Sequence, residues 1–412
     1  MADFLVLGAG MVGVSTALAL QGEGHAVTLV DRKAPGRETS FGNAGIIQAE
    51  AAEPYALPRD PLTLLRFALG RSNDVTWSMG GVAEMLPALW RYFRNSTPAR
   101  HAEISRTYVR LTERSTRDHA PLIADAGLEN LMAREGLATL YRDAAEYGAA
   151  VADAERVSAS YGTRFRAVDG ADYAREDPAL LKAPAGVIHW TDSWSCASPG
   201  ALTEGYAALF ARRGGRILTG DAASLQQAGS GWQVETADGA VVAEQAVIAL
   251  GPWSPRVLSR FGYRIPMIYK RGYHGHFAAP RSPLRPFLDV ANGIVAAPMT
   301  GGLRLATGAA LVTRQSAPDP RQLDRGREGI SDLIEVGERI REPQWSGARP
   351  CLPDMLPMVG PAPRHAGLWM NFGHGHQGFT LGPTTGSLLA QMVAGETPGG
   401  FGALLPAGRL QR

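Results

Sequence analysis

Gly8, Gly10 and Gly13 occupy the glycine positions of a Gly-x-Gly-x-x-Gly run, and Asp31 ends the apolar stretch that follows. In that spacing the first glycine allows a sharp turn, the second lets backbone approach a pyrophosphate, and the third lets helix pack on strand. Met11 and Val12, inside the run, open a helix whose free N–H groups face the anion. A carboxylate at Asp31 accepts from a ribose 2′-hydroxyl and repels a 2′-phosphate, which disfavours NADP. Two further loops are polar and rich in glycine: Arg37-Glu-Thr-Ser-Phe-Gly-Asn-Ala-Gly45 and Gly373-His-Gly-His-Gln-Gly-Phe-Thr380. An extended FAD needs such polar backbone for its ribityl chain and ring, whereas a nicotinamide dinucleotide does not. Arg349 adds a planar fork suited to a bidentate carboxylate contact.

These groups need elements to hold them. Phe4–Leu7 reads as a short buried strand, the glycine run leads into a helix carrying Val14, Ala17, Leu18 and Leu20, and Ala26–Asp31 reads as a second strand. Strands joined by such a crossover lie parallel. The spacing of Leu86, Leu89, Trp90 and Phe93 predicts helices through most of 60–117. A second Rossmann-like stretch has a helix over 199–213, strands at 216–219 and 246–250, and a hairpin through Asp238-Gly239; a last strand at 368–371 precedes a helix over about 378–393. Segments at 136–141, 185–190 and 293–297 belong to a different sheet, so two sheets interleave along the chain.

Composition bounds the rest. At roughly 150 residues per domain, 412 residues make two or three domains. With 41 basic against 39 acidic residues, no concentrated basic face points to nucleic acid. Cys196 and Cys351 form no C-x-x-C, which fits a reducing compartment. The first apolar run begins at Phe4 without a basic stretch before it, so no secretory leader is expected, and no apolar run reaches the roughly 18 residues of a spanning helix. The expected location is cytoplasmic, at most peripheral to the inner membrane. Lysine occurs only at 33, 182 and 270.

The order GAGMVG, ETSFGNAG, ALGPWS (249–254), GARPCLPDMLPMVG (347–360) and NFGHGHQGFT resembles the FAD-dependent amino-acid oxidase superfamily, within it most of all bacterial D-amino-acid dehydrogenases. The resemblance implies non-covalent FAD in a Rossmann-like domain built from 1–90, 195–257 and 345–400, α/β in class. It also implies an α+β substrate domain with a mixed sheet from 91–194 and 258–344, and a tail at 401–412. It extends the cofactor set to Arg32, Thr39, Ser40, Asn43, Ala44, Gly45, Ile46, Ala222 beside the adenine, Gly251, Gly373, His374, Gln377, Gly378, Phe379 and Thr380. Arg349 takes the position that binds substrate carboxylate, Tyr273 lies beside the flavin, and Tyr55 closes the pocket from a loop where Glu50 and Glu53 are expected to be solvated. The pairs His274/His276 and His374/His376 have ligand types for a metal, but His374 fits the flavin loop and no metal is expected.

The implied reaction is oxidation of a D-amino or cyclic imino acid, with electrons passed to a quinone or another acceptor. Sarcosine-type oxidases activate oxygen with a lysine; the matching segment here carries Arg304, and Lys270 is the only nearby substitute. Two alternatives remain at this level: an oxidase of glycine, sarcosine or D-proline type, and a non-catalytic NAD-binding redox sensor. Trp77, Trp90, Tyr92 and Phe93 beside Arg91 and Arg94 are the segment suited to membrane contact.

Overall fold

The computed structural model describes residues 1–70, 72–340, 344–396 and 399–410. Asp3–Leu7 is buried from Phe4 onward and lies between two parallel partners, Ala26–Asp31 and Gln245–Ile248. Arg216–Ala228 and Leu368–Phe372 extend that parallel core outward, to the far sides of Ala26–Asp31 and Gln245–Ile248 respectively. Antiparallel strands Gly231–Thr236, Gly239–Ala243 and Met358–Pro361 complete an eight-stranded sheet. Its central strands read as continuous apolar runs because both faces are covered. Arg216–Ala228 outruns the expected 216–219: after its parallel pairing with Asp31 it continues as the antiparallel partner of Gly231–Thr236, with a register shift between Asp221 and Gln226. Such a bulge re-aims backbone, and Ala222 sits in it.

The second sheet has ten strands and turns on Ile268–Phe277, which pairs with Gly302–Thr307, Ala309–Leu311 and Trp345–Cys351. A small three-stranded sheet joins Ile46–Ile47, Trp194–Cys196 and Met132–Ala133.

The two helices that open on the ligand side, Met11–Gly22 and Gly378–Val393, pack directly together. A Cβ at Gly382 would stand 3.0 Å from the Met11 carbonyl oxygen, and one at Gly386 would stand 2.9 Å from that of Ser15. Residues four apart on one helix thus meet residues four apart on the other in the same order, so the helices run parallel and present both N-termini to the same side.

Packing divides the chain differently from the expected segments in several places. Val75–Trp77, expected to be helical within the nucleotide domain, is a strand paired with Ala309–Leu311 of the ten-stranded sheet. Trp345–Cys351 also joins that sheet rather than the nucleotide domain. The helices Pro98–Thr112 and Ser115–Ala126, expected in the substrate domain, bury Ile104, Tyr108, Leu111 and Ile123 in one cluster with Leu388 and Leu389.

His119 shows why. Pro383 has no N–H to give the Phe379 carbonyl one turn earlier, and His119 Nε2 bonds that carbonyl at 3.0 Å while Nδ1 bonds the Tyr206 hydroxyl at 2.9 Å. The expected tail 401–412 is a docked cap: Phe401 and Leu404 are buried, and Arg409 pairs with Asp354 at 2.6 Å. Residues 411–412 of it, with 341–343 and 397–398 in the expected domain segments, lie outside the described residues.

Gly386→Ala should cost about 1–3 kcal/mol, because the added carbon meets backbone rather than a movable side chain. The measurement is the urea unfolding midpoint, with the solvent-exposed Gly399→Ala as the reference that should leave it nearly unchanged.

Candidate active site

One cavity of about 890 Å³ runs from the first glycine turn to the ten-stranded sheet, near the upper end of ordinary ligand pockets. Gly8, Gly10, Met11, Val12, Asp31, Arg32, Thr39, Ser40, Ala222 and Gly251 line its outer part. Gly8 has φ +109° and a Cβ there would stand 2.5 Å from the Ala249 carbonyl oxygen, so the close turn requires glycine. The Met11–Gly22 helix has no side-chain cap; the Met11 N–H is taken by Ser40 Oγ at 2.9 Å. Asp31 Oδ2 accepts from the Ala9 N–H at 2.7 Å, which holds its carboxylate beside the turn. Arg32 stacks over Trp253 at 4.5 Å, and Trp253 and Arg256 are lining residues that the glycine motif gave no sign of.

Asn43, Ala44, Ile46, Gly373, His374, Gly378 and Phe379 line the inner part. Four residues expected at the cofactor do not line the cavity but hold residues that do. Gly13 sits under the Gly8 carbonyl, and Gly45, at φ +75°, passes the Cys196 carbonyl where a Cβ would stand 2.2 Å away. Gln377 donates to Gln48 at 3.1 Å, and Thr380 Oγ1 bonds the Ile46 carbonyl at 3.3 Å. The second helix, Gly378–Val393, also lacks a side-chain cap, so its N-terminus opens on the cavity through Gly378 and Phe379.

The catalytic candidates meet at the cavity's end. Gly375 N–H donates to the Pro350 carbonyl at 2.9 Å, tying the flavin-side loop to the strand that carries Arg349. The Arg349 guanidinium lies over Gly272, where a Cβ would fall 2.8 Å from Nη2, and donates to the carbonyls of Gly308 (2.7 Å) and Thr307 (2.9 Å). It makes no ion pair among the described residues, and burial lowers its pKa from the usual value. Tyr273 borders the cavity but differs from the expected arrangement: it stands one residue from Gly272 on its strand, so its buried side chain leaves the opposite face of the sheet from Arg349. Tyr55 lines the same end with its ring 4.9 Å from that of His376.

His374 bonds Thr385 Oγ1 at 2.9 Å, and burial drives its pKa to about 3. His376 is lowered to about 3 by burial and then by the charges of Arg349 and Lys270. Both imidazoles are therefore neutral at ordinary pH.

Several expectations change here. Glu50 is buried, bonded to Ser193 and to Gln48 (2.9 Å), and burial raises its pKa. Glu53 pairs with Arg156 at 2.8 Å; neither carboxylate is solvated in the expected way. Arg304 donates to the carbonyls of Phe41 (3.0 Å) and Asn43, so it braces the second loop and is not among the cavity-lining residues. Lys270 does line the cavity, as do Tyr92, Trp345 and Cys351. His274 stacks on Trp345 and His276, and no group of three or more His, Cys, Asp or Glu side chains suited to a metal occurs among the described residues.

A long cavity bordered by two helix N-termini, with glycine turns where a Cβ would collide, fits an extended dinucleotide with a redox ring at its inner end. Fold and site together define a flavoprotein of the Rossmann-like α/β type. The chain belongs to the FAD dependent oxidoreductase family, whose profile matches residues 3–392, and FAD is its cofactor. It is 32% identical over 407 residues to a D-amino acid dehydrogenase of Cereibacter sphaeroides (96% of this chain, 92% of that one). It is 30% identical over 420 residues to a D-amino acid dehydrogenase of Chromohalobacter salexigens (96% of each). In structure it is similar to glycine oxidase from Geobacillus kaustophilus (TM-score 0.73, 22% identity, 100% of this chain and 98% of that one). It is likewise similar in structure to L-proline dehydrogenase from P. horikoshii (TM-score 0.70, 15% identity, 98% and 96%).

The depressed imidazoles set a pH dependence. The folded pKa values of His119 (about 4), His374 and His376 (both about 3) lie below the ordinary 6.5, so in this window the unfolded chain binds more protons than the folded one. Their contribution should be intact above about pH 6.5 and decline as pH falls toward 4. Urea titrations from pH 7.5 to 4.5 check this, and His119→Gln should flatten the slope.

Proposed function

We propose that this protein oxidises the amino or imino group of a small D-amino or cyclic imino acid and passes the electrons to a quinone or similar acceptor. The observation that carries the substrate reading is Arg349, a buried guanidinium in the cavity with no carboxylate partner among the described residues. Its two terminal nitrogens are anchored by the Thr307 and Gly308 carbonyls, which fixes the plane of the fork and leaves its other N–H groups for a substrate carboxylate. Bound FAD would supply a ring that accepts a hydride from the substrate Cα as the nitrogen loses a proton; water would convert the imine of an amino acid to keto acid and ammonia, whereas a cyclic imino acid would keep its nitrogen in the imine ring.

The chain's own part is positional and electrostatic. Arg349 orients the carboxylate. The open N-terminus of Gly378–Val393 stabilises negative charge at the inner end of the cavity. Neutral His374 and His376 add no further positive charge beside the substrate amine. FAD rather than NAD as the family's cofactor removes the support for an NAD-binding sensor.

The acceptor reading rests on the surface. Leu62, Leu65, Leu69, Met79, Leu86 and Trp90 are exposed, and Arg66, Arg91 and Arg94 lie in the same helices. Phe67, Trp77, Val82 and Leu89 of this segment line the cavity, so one apolar element borders both the substrate site and the outside. Tyr92, expected on that surface, is instead buried. No helix among the described residues is long and apolar enough to cross a membrane, and a peripheral, quinone-reaching contact is the arrangement this patch supports. Lys270 in the cavity is the one observation favouring oxygen as acceptor.

Arg349→Ala should raise KM for amino-acid substrates by about a hundredfold, with less effect on kcat, as expected for loss of a charged hydrogen-bonded contact of about 2–3 kcal/mol. Anaerobic bleaching of the flavin by a panel of D- and L-amino acids, prolines and N-methylglycine tests the reaction itself. For the acceptor, a ubiquinone analogue should support turnover far faster than air does. Peroxide formed in step with substrate loss would assign an oxidase. Leu86→Glu with Trp90→Glu should abolish flotation with anionic vesicles while leaving flavin bleaching in place.

A further inference from the structure

Lys270 and Arg349 are directly opposed across adjacent antiparallel strands, so their side chains leave the sheet on one face. They then diverge. The Arg349 guanidinium lies over Gly272 and is held by the Thr307 and Gly308 carbonyls. The Lys270 ammonium turns toward the opposite end of its strand. Its Nζ is 3.0 Å from the Tyr92 hydroxyl and 4.3 Å from the centre of that ring, in a cluster that includes Ile268. Ile268 and Gly272 flank Lys270 by two positions each, about 7 Å per step along a strand. The two charges therefore reach the cavity at different positions along the strand.

Lys270 is also incompletely used. The Tyr92 hydroxyl donates its proton to the Tyr55 carbonyl, so it only accepts from Lys270, and the ammonium keeps two further N–H donors. Neither Lys270 nor Arg349 forms an ion pair among the described residues. The nearby cavity carboxylate, Asp74, accepts instead from Ser72 and lies against Gly293. Lys270 lines the cavity with no carboxylate partner among the described residues, so its spare donors are open to an anionic group of a ligand.

We propose that Lys270 recognises a second acidic group on the substrate, so that the preferred substrates are short amino or imino dicarboxylates, held at one carboxylate by Arg349 and at the other by Lys270. This rests on the amino-acid oxidation reading above and names the substrate class for it. Lys270 is then the specificity-determining residue: it touches the distal carboxylate and takes no part in bond breaking.

The test compares acid with amide in the FAD-loaded protein. Aspartate, asparagine, glutamate, glutamine and lysine, each as both enantiomers, are followed by anaerobic flavin bleaching and by kcat/KM with an artificial acceptor. The acid should exceed its amide by at least about tenfold, Lys270→Gln should remove that preference, and Lys270→Arg should keep most of it. A binding readout runs alongside: glutarate, which cannot be oxidised, should perturb the flavin spectrum at lower concentration than butyrate in the native protein. That native comparison stands even if the Gln variant folds poorly.

An amide preferred to its acid, lysine as the best substrate, or equal losses on acid and amide in Lys270→Gln would each overturn the proposal. The last would place Lys270 at the shared carboxylate or at the acceptor step. If neutral amino acids bleach the flavin and dicarboxylates have no advantage, this inference alone fails. If no amino or imino acid bleaches it, the underlying functional reading fails as well.

Discussion

The close, parallel contact between the helices Met11–Gly22 and Gly378–Val393 is the constraint on which the site depends. The residues that open them are far apart in the chain, yet Gly382 and Gly386 let the second helix lie on the backbone of Met11 and Ser15. That contact aims two helix N-termini at one cavity, one at its outer part and one at its inner part. A helix N-terminus stabilises negative charge only over its first turn. A small lateral shift of either helix would therefore weaken both the hold on a pyrophosphate and the stabilisation of charge at the ring end.

Segments outside the nucleotide fold secure that contact. Pro383 strips the second helix of one internal hydrogen bond, and a buried neutral histidine on Ser115–Ala126 replaces it. This draws the helical segment after residue 97 to the nucleotide side, where its apolar residues share a core with Leu388 and Leu389. On the other side, the strand Trp345–Cys351 of the ten-stranded sheet is pinned to the 373–376 loop through Pro350 and Gly375. The same strand thus carries Arg349 into the cavity and fixes its distance from the ring end.

Electrostatics at that end are one-sided. Two cations stand without carboxylate partners among the described residues, and two imidazoles are held neutral by burial, one of them also by those cations. In a cavity this sheltered, each charge acts with less solvent screening than at a surface. Such a site discriminates among ligands by the number and placement of their acidic groups.

The glycine run, Asp31 and the two polar loops were legible in the residue order, because a close approach of backbone leaves only glycine as a choice and a parallel strand buried on both faces leaves only apolar residues. Arg349 was legible as well, as a fork beside a proline at the start of a recognisable stretch. Lys270 was visible only as a rare residue type near that segment, and Arg304 only as the residue in the place of a lysine; neither position showed which of them lines the cavity. Nothing local distinguishes a strand residue that lines the cavity from one that does not when both faces are covered; the register with Trp345–Cys351 and the place of Tyr92 decide it. The segment boundaries failed for the same reason, since Val75–Trp77 and Pro98–Ala126 take their places from partners more than a hundred residues away. Short-range sterics are written into the order of residues, whereas the pairing of distant surfaces is settled only when the whole chain has packed.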